Sequence, residues 1–251
     1  MIHEGKAEMN DKIRPMPLWL SITLFGIPCL LEILVMYRIM PWLDGRGLHP
    51  MLNYAVFSFP MILLFAAAFI GLRLEGRKIS WPEIRERFRL NKMNRGDWVW
   101  SLGLTIFFIV SYVSMVPLAN LLYEYTPSPD VLDKVLGNEK RFAGFELAGN
   151  WWLLGVFFAG YFFNIAGEEL WWRGYIFPRQ ILQHGRWAWI VQGLLWTLFH
   201  VFFLYDIALI LPGALGLSYV CQRRRSTWPG IIAHGALNAL AMIRLVKGVI
   251  G

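Results

Sequence analysis

Long apolar runs recur along the chain and restrict its fold more than any other property. A helix needs about 20 apolar residues to cross a bilayer. Runs of that kind fall at Pro17–Met40, Tyr54–Leu74, Trp98–Tyr123, Trp151 to about Leu182, Trp187–Tyr205, Ile207–Cys221 and Trp228–Val246. Their number suits one all-α, polytopic transmembrane bundle of about seven to eight helices within 251 residues. Only 16% of the residues are charged and 57% are hydrophobic, whereas a soluble domain carries about 25% charged residues. Thirteen tryptophans fit the same reading, because the indole favours the lipid–water boundary.

Residues 1–16 are polar, mixed in charge, and read as a cytoplasmic tail. The first apolar run is too long for a signal peptide and lacks a small-residue cleavage site, so it is expected to remain as a span. Residues 17–251 then make a single integral membrane domain. A basic linker, 75–96, follows the second run. Ser80-Trp81-Pro82-Glu83 marks a helix start inside it, with Ser80 as cap and proline in the first turn. Ile84 and Phe88, with Trp81 and Leu90, make an apolar stripe, while Arg85, Arg87 and Arg89 lie mostly elsewhere around the helix. This pattern predicts an interfacial amphipathic helix; a solvated linker helix is the plainer alternative. The polar loop Glu124–Asn150 contains Pro127 and Pro129 and room for a short helix near Val131–Leu136. Pro178 is expected to kink or break the fourth run, and Pro212-Gly213 leaves open a re-entrant sixth.

The net charge of +7 does not point to nucleic acid, because the basic residues fall between the apolar spans, where they set orientation. With seven spans, most of them collect in the tail, in Arg73–Arg95, in Arg173, Arg179 and Arg186, and in Arg223–Arg225. This distribution predicts a cytoplasmic N-terminus and an external C-terminus, in the cytoplasmic (inner) membrane of a bacterium or archaeon. Cys29 and Cys221 form no disulfide or zinc-site spacing.

The chemistry concentrates in three places. Glu168, Glu169 and Arg173 end the fourth apolar run. Each charge costs roughly 2.5–3.5 kcal/mol at mid-span, so the three left unpaired in lipid would cost on the order of 8–10 kcal/mol. In a helix Glu169 and Arg173 share a face and can pair, while Glu168 points about 100° away. His200 lies deep in the fifth run. His234 and Asn238 share a face of the last one. Each element alone has a plain reading: an interfacial charge cluster, a hydrogen-bonded packing histidine, an interhelical bond that glues the bundle. Together they are most of the strongly polar groups of the C-terminal spans, and one internal cavity would satisfy them all. In such a site a carboxylate and a histidine can deprotonate water, and a histidine and an asparagine can donate to an oxyanion.

The three motifs in this order, Glu168-Glu169-x-x-x-Arg173, a helix bearing x-x-x-His200, and His234-x-x-x-Asn238, resemble the CAAX protease and bacteriocin-processing (CPBP) family of intramembrane proteases, which includes the type II CAAX prenyl endopeptidases. The resemblance covers about Trp151 to Leu245, a motif-bearing core of 151–245 in what would be a protease domain. It implies that Glu168 and His200 activate the hydrolytic water, that His234 and Asn238 form the oxyanion hole, and that Glu169 and Arg173 orient and neutralise the site. The family often has phenylalanine four residues before the second-motif histidine. Trp196 stands there in this chain and, with Trp171, Trp172 and Phe199, is expected to shape the pocket.

Glu168, His200 and His234 have the ligand count of a catalytic zinc site. No H-E-x-x-H pair is present, however, and Asn238 suits an oxyanion hole better than a ligand shell. A metal-independent, glutamate-type mechanism without a cofactor is therefore expected, with zinc on those three residues as the alternative. The expected partners are the lipid bilayer and a membrane-anchored protein or peptide substrate. Rival readings from other classes are a non-proteolytic immunity or regulatory scaffold and a transporter with a buried polar path.

Overall fold

A computed structural model describes residues 13–126 and 128–251. The tail expected over 1–16 lies outside the described residues except for its last part, 13–16, and so does Pro127. The chain is an all-α bundle: α1 (Leu18–Gly45, π-helical over Val35–Ile39), α2 (Pro50–Leu74), α3 (Trp81–Arg87), α4 (Arg95–Tyr125) and α5 (Asp130–Leu136) come first. A two-stranded antiparallel hairpin follows, β1 (Arg141–Phe142) with β2 (Phe145–Glu146), Arg141 facing Glu146. Then come α6 (Trp152–Glu168), a π-helical segment (Glu169–Ile176), α7 (Phe177–His184), α8 (Ala188–Phe199), a tight turn (His200–Phe202), α9 (Leu204–Arg224) and α10 (Trp228–Ile250).

Among the described residues six helical stretches are long and apolar enough to cross a membrane, and one of them, Trp152–Phe202, is 51 residues long. That stretch is two legs. Glu168 and Trp196 stand 28 positions apart, about 42 Å along an unbroken helix at 1.5 Å per residue, yet their side chains meet at 2.6 Å. The chain reverses at Gly185, whose φ of +57° suits a residue without a Cβ.

The outward face of α4 shows why these helices belong in lipid. Val99, Leu102, Ile106, Val110 and Val113 follow helical spacing and are all more than half exposed. A soluble monomer rarely leaves so large an apolar stripe bare. Inside, α2 and α6 approach until the backbone of Met61 lies against Gly167, where any Cβ would collide with the Met61 carbonyl. Small residues allow this closeness between membrane helices, and it seats the end of α6 deep in the bundle.

Two proline expectations are corrected. Pro212 neither breaks α9 nor makes it re-entrant: the helix runs unbroken from Leu204 to Arg224. It packs along α4 with Ile210, Ala214 and Leu217 buried, and tertiary packing overrides the local preference for a break. Pro178 sits in the first turn of α7, directly after the π segment, where its missing N–H is tolerated.

The basic linker is more than a surface helix. Phe88 and Leu90 are buried and Trp81 is exposed. Arg87, expected on the polar side, is instead buried, because the protein supplies a partner for its whole guanidinium. Glu75 accepts from Nε and Nη2 at 2.5 and 2.7 Å. The carbonyls of Gly174 and Tyr175 accept at 2.9 and 3.1 Å. Gly174 lies four residues before Pro178, which has no N–H to offer it. At the linker's other end Thr227, heading α10, donates its backbone N–H to Arg89 (3.1 Å) and its hydroxyl to Phe88 (2.7 Å). The linker thus ties the π segment to the start of α10.

The basic segments gather at one end of the bundle. Met16 N–H reaches the carbonyl of Arg179, Gln222 reaches those of Gly185 and Arg186, and Arg224 pairs with Asp97 at 2.8 Å. Burial, with Arg87 and Arg225 nearby, pushes the guanidinium of Arg89 down to about 10, so it is still a cation at neutral pH. The C-terminus lies at the opposite end, where Gly149 donates to Val249.

Replacing Arg87 by methionine should lower the unfolding midpoint in detergent sharply. The change strands Glu75 and two carbonyls, and breaking a buried pair costs on the order of 3–5 kcal/mol. Lysine should recover only part of this, because it lacks the guanidinium fork. An unchanged midpoint for Arg87→Met would dismiss the brace.

Candidate active site

The motif sits where α6 passes into its π-helical segment, and every residue from Glu169 to Ile176 is buried. Short π segments inside α-helices frequently mark functional positions. The widened turn keeps both glutamates inside the protein, at 2% and 0% exposure for Glu168 and Glu169.

Glu169 is the structural partner. Its Oε1 accepts from Arg173 Nη1 at 3.0 Å and from His234 Nδ1 at 3.0 Å. A carboxylate oxygen only accepts, so the His234 proton on this side resides on Nδ1. Arg173 is also held by the indole of Trp196, with its guanidinium carbon 4.0 Å from the ring centroid, a cation–π contact that is strongest when desolvated. Gly230, in the first turns of α10, is where Glu169 presses against the helix backbone; a Cβ there would collide with Glu169 Oε2.

Glu168 faces a different way. Its Oε1 accepts from Asn164 Nδ2 at 3.0 Å, one turn earlier on α6, and its Oε2 from Trp196 Nε1 at 2.6 Å. It has no cationic partner among the described residues. His200 follows at the end of α8, with Nδ1 2.8 Å from the carbonyl of Trp196. Because a carbonyl can only accept, Nδ1 carries the proton and Nε2 keeps a lone pair in the neutral ring. Asn238 donates one amide proton to the carbonyl of His234 at 3.2 Å, and an amide nitrogen has a second to give.

Glu168, His200, His234 and Asn238 line one cavity of about 580 Å³. Trp196 and Phe199 form part of its wall, and Glu32 and Asp206 bring two further carboxylates to it. The rest is largely apolar, including Phe57, Phe108, Phe157 and Leu237. Glu169 and Arg173 stand behind the wall. Trp171 and Trp172 do not line the cavity, contrary to expectation. Trp172 is fully buried and stacks on Phe25 of α1 at 3.9 Å between centroids, and Trp171 stacks on Tyr175 at 5.1 Å. Helical spacing alone would put both within one turn of Glu168; it is the packing of their rings on Phe25 and Tyr175 that takes them away from the cavity.

Two contributors were not assigned from the sequence. Asn164 has a visible signal, its four-residue spacing from Glu168. The indole N–H of Trp196 has none, because Glu168 lies on another helix.

Residues 150–240 match the family model for type II CAAX prenyl endopeptidase Rce1-like proteins. Over this segment, about a third of its length, the chain is similar to the Rce1-like family. No curated protein and no solved structure matches the chain significantly. The matched segment holds Glu168, Glu169, Arg173, His200, His234 and Asn238.

Among the described residues no three His, Cys, Asp or Glu side chains come close enough to hold a metal ion. A catalytic zinc needs three converging protein ligands.

Gly230→Ala should disturb the site without touching the cavity. The added methyl must displace Glu169, and overpacking a tight contact costs about 1–3 kcal/mol. A lower unfolding midpoint, with weakened protection of the α10 amides in hydrogen exchange, is the expected result; a variant indistinguishable from the parent would contradict this contact.

Proposed function

We propose that this protein is an intramembrane endopeptidase that hydrolyses a peptide bond in a membrane-associated protein or peptide. The observation that carries the reading is the shared cavity: a carboxylate held by two neutral donors, facing the same space as two histidines and an asparagine brought in by other helices. The match of residues 150–240 to the Rce1-like family model supports the general class, a CAAX-type endopeptidase.

The chemistry follows from the proton positions. A water between Glu168 and His200 gives up a proton to this pair as its oxygen attacks the scissile carbonyl carbon. The carbonyl oxygen becomes an oxyanion, stabilised by His234, which is anchored through Nδ1 to Glu169, and by the second amide proton of Asn238. The C–N bond then breaks, and the proton held by Glu168 and His200 passes to the leaving amine. No metal takes part in any step. The apolar walls suit a lipid-anchored or hydrophobic segment, and prenylated C-terminal segments are the substrates that the family's name specifies.

We further propose that the basic end of the bundle, with the N-terminus, is cytoplasmic, as the excess of Lys and Arg on that side favours. A reporter fused after Gly251 should be active only when the fusion lies outside the cytoplasm; cytoplasmic activity would reverse the orientation.

The function is tested by mass spectrometry of membrane peptides from cells that produce the protein or its Glu168→Ala, His200→Ala or His234→Ala variant. Cleavage products should accumulate with the parent and fall by about 100-fold or more in each variant, and exhaustive chelation should leave the parent's rate intact. If all three folded variants process the same peptides at the parent rate, the protein is not this hydrolase. Activity that tracks stoichiometric zinc would overturn the metal-free mechanism alone.

A further inference from the structure

We propose that Trp196 is the positioning residue of this site: its indole N–H fixes the carboxylate plane of Glu168 while its backbone carbonyl fixes the ring of His200, so that both act on one water. The inference rests on the hydrolase reading above and extends it to a side chain outside the reacting set.

Three observations carry it. The first is the contact to Glu168, 2.6 Å from Nε1 to Oε2. This is short for an N–H···O bond, whose usual range is about 2.7–3.2 Å, and fits an ionised acceptor. Indole nitrogen is a donor only. With Asn164 on Oε1, both carboxylate oxygens are pinned from two different helices. A carboxylate held by one oxygen still turns about its terminal torsion, which is broad; one held by both does not.

The second observation is that the same residue sets the tautomer of His200. Its carbonyl takes the Nδ1 proton at 2.8 Å, leaving Nε2 as the basic nitrogen. Trp196 and His200 are four apart near the end of α8, so the side-chain contact and the backbone contact come from one turn.

The third observation is that the indole itself cannot swing. Trp196 is 1% exposed. Arg173 covers one face of its ring at 4.0 Å. The rings of His200 and His234 meet it nearly at right angles, with centroids 5.1 and 5.2 Å away. The charged and titratable groups around Glu168 are thereby ordered about one ring: His200 on α8, His234 on α10, and Glu169 and Arg173 on the π segment. Glu32 on α1 and Asp206 on α9 complete the cavity wall. Packing alone would need only the ring; positioning needs the N–H.

Trp196→Phe keeps an aromatic ring and the backbone carbonyl and deletes the N–H. Incorporation of 3-benzothienylalanine at position 196 keeps the full bicyclic shape and puts sulfur in place of N–H. The assay is steady-state cleavage of an internally quenched, farnesylated CAAX peptide by protein in lipid nanodiscs, beside the parent and Glu168→Gln. Both Trp196 replacements should lower kcat by about 10- to 100-fold, the range for losing a hydrogen bond to a charged group, with KM within about threefold of the parent. Parent-like kcat in the benzothienyl protein overturns the proposal, whether or not the phenylalanine variant folds. So does a loss confined to KM. Parent-like kcat in Glu168→Gln, or a parent that cleaves no such peptide and yields no products in membranes, overturns the hydrolase reading itself. An inactive Glu168→Gln beside fully active Trp196 replacements overturns only the role of the indole.

Discussion

The carboxylate of Glu169 is the contact on which the rest of the site depends. At zero exposure it binds Arg173 of its own segment and His234 of α10, joining two stretches of chain 65 positions apart. Removing such charges from water costs several kcal/mol per ion, and their attraction returns this only with good geometry. The arrangement is therefore better understood as specifying one packing of the helices than as adding stability. With Glu169 committed to α10, the next residue back, Glu168, is turned about 100° away from it, toward the cavity.

The linker between α2 and α4 holds this geometry from outside. Arg87 closes on the π segment and Thr227 ties α10 to the same linker. The two elements that Glu169 joins are thus braced twice, once by an internal ion pair and once at the bundle end. The charges there are largely paired with one another: Arg77 with Glu83 and Glu86, Arg87 with Glu75, Arg224 with Asp97. Those with exposed carboxylates, such as Arg77 with Glu86, add little to stability. The enclosed Arg87 pair matters because its remaining donors also satisfy backbone carbonyls.

A hydrolytic site in a membrane must keep polar groups together within apolar surroundings. Here the polar groups come to the cavity from several helices, and aromatic and aliphatic side chains make up most of the rest of its lining. In the hydrolase proposed above, such a space would take an apolar segment while the scissile peptide met the donors and acceptors it needs. The indole of Trp196 lies between the two environments, with one N–H for the carboxylate and a ring for everything else.

Much of this was readable in the sequence, for reasons that are local. Lipid thickness sets helix length, so the apolar runs gave the spans to within a few residues at most ends. Four-residue spacing puts Glu169 beside Arg173 and His234 one turn from Asn238, whatever surrounds them. Where long-range packing decides, sequence reading failed. Arg87 looked like one more surface cation until the carbonyls of Gly174 and Tyr175 were set beside it, and Pro212 looked like a break until α9 was packed along α4. Trp196 looked like bulk in a pocket until the reversal at Gly185 brought it to Glu168, across 28 positions. The sequence by itself determined a helical membrane bundle and the residue types of its site, because both follow from composition and helical periodicity. Only the tertiary structure decided which donor meets which carboxylate, because that depends on how far neighbouring helices slide and turn before their side chains lock.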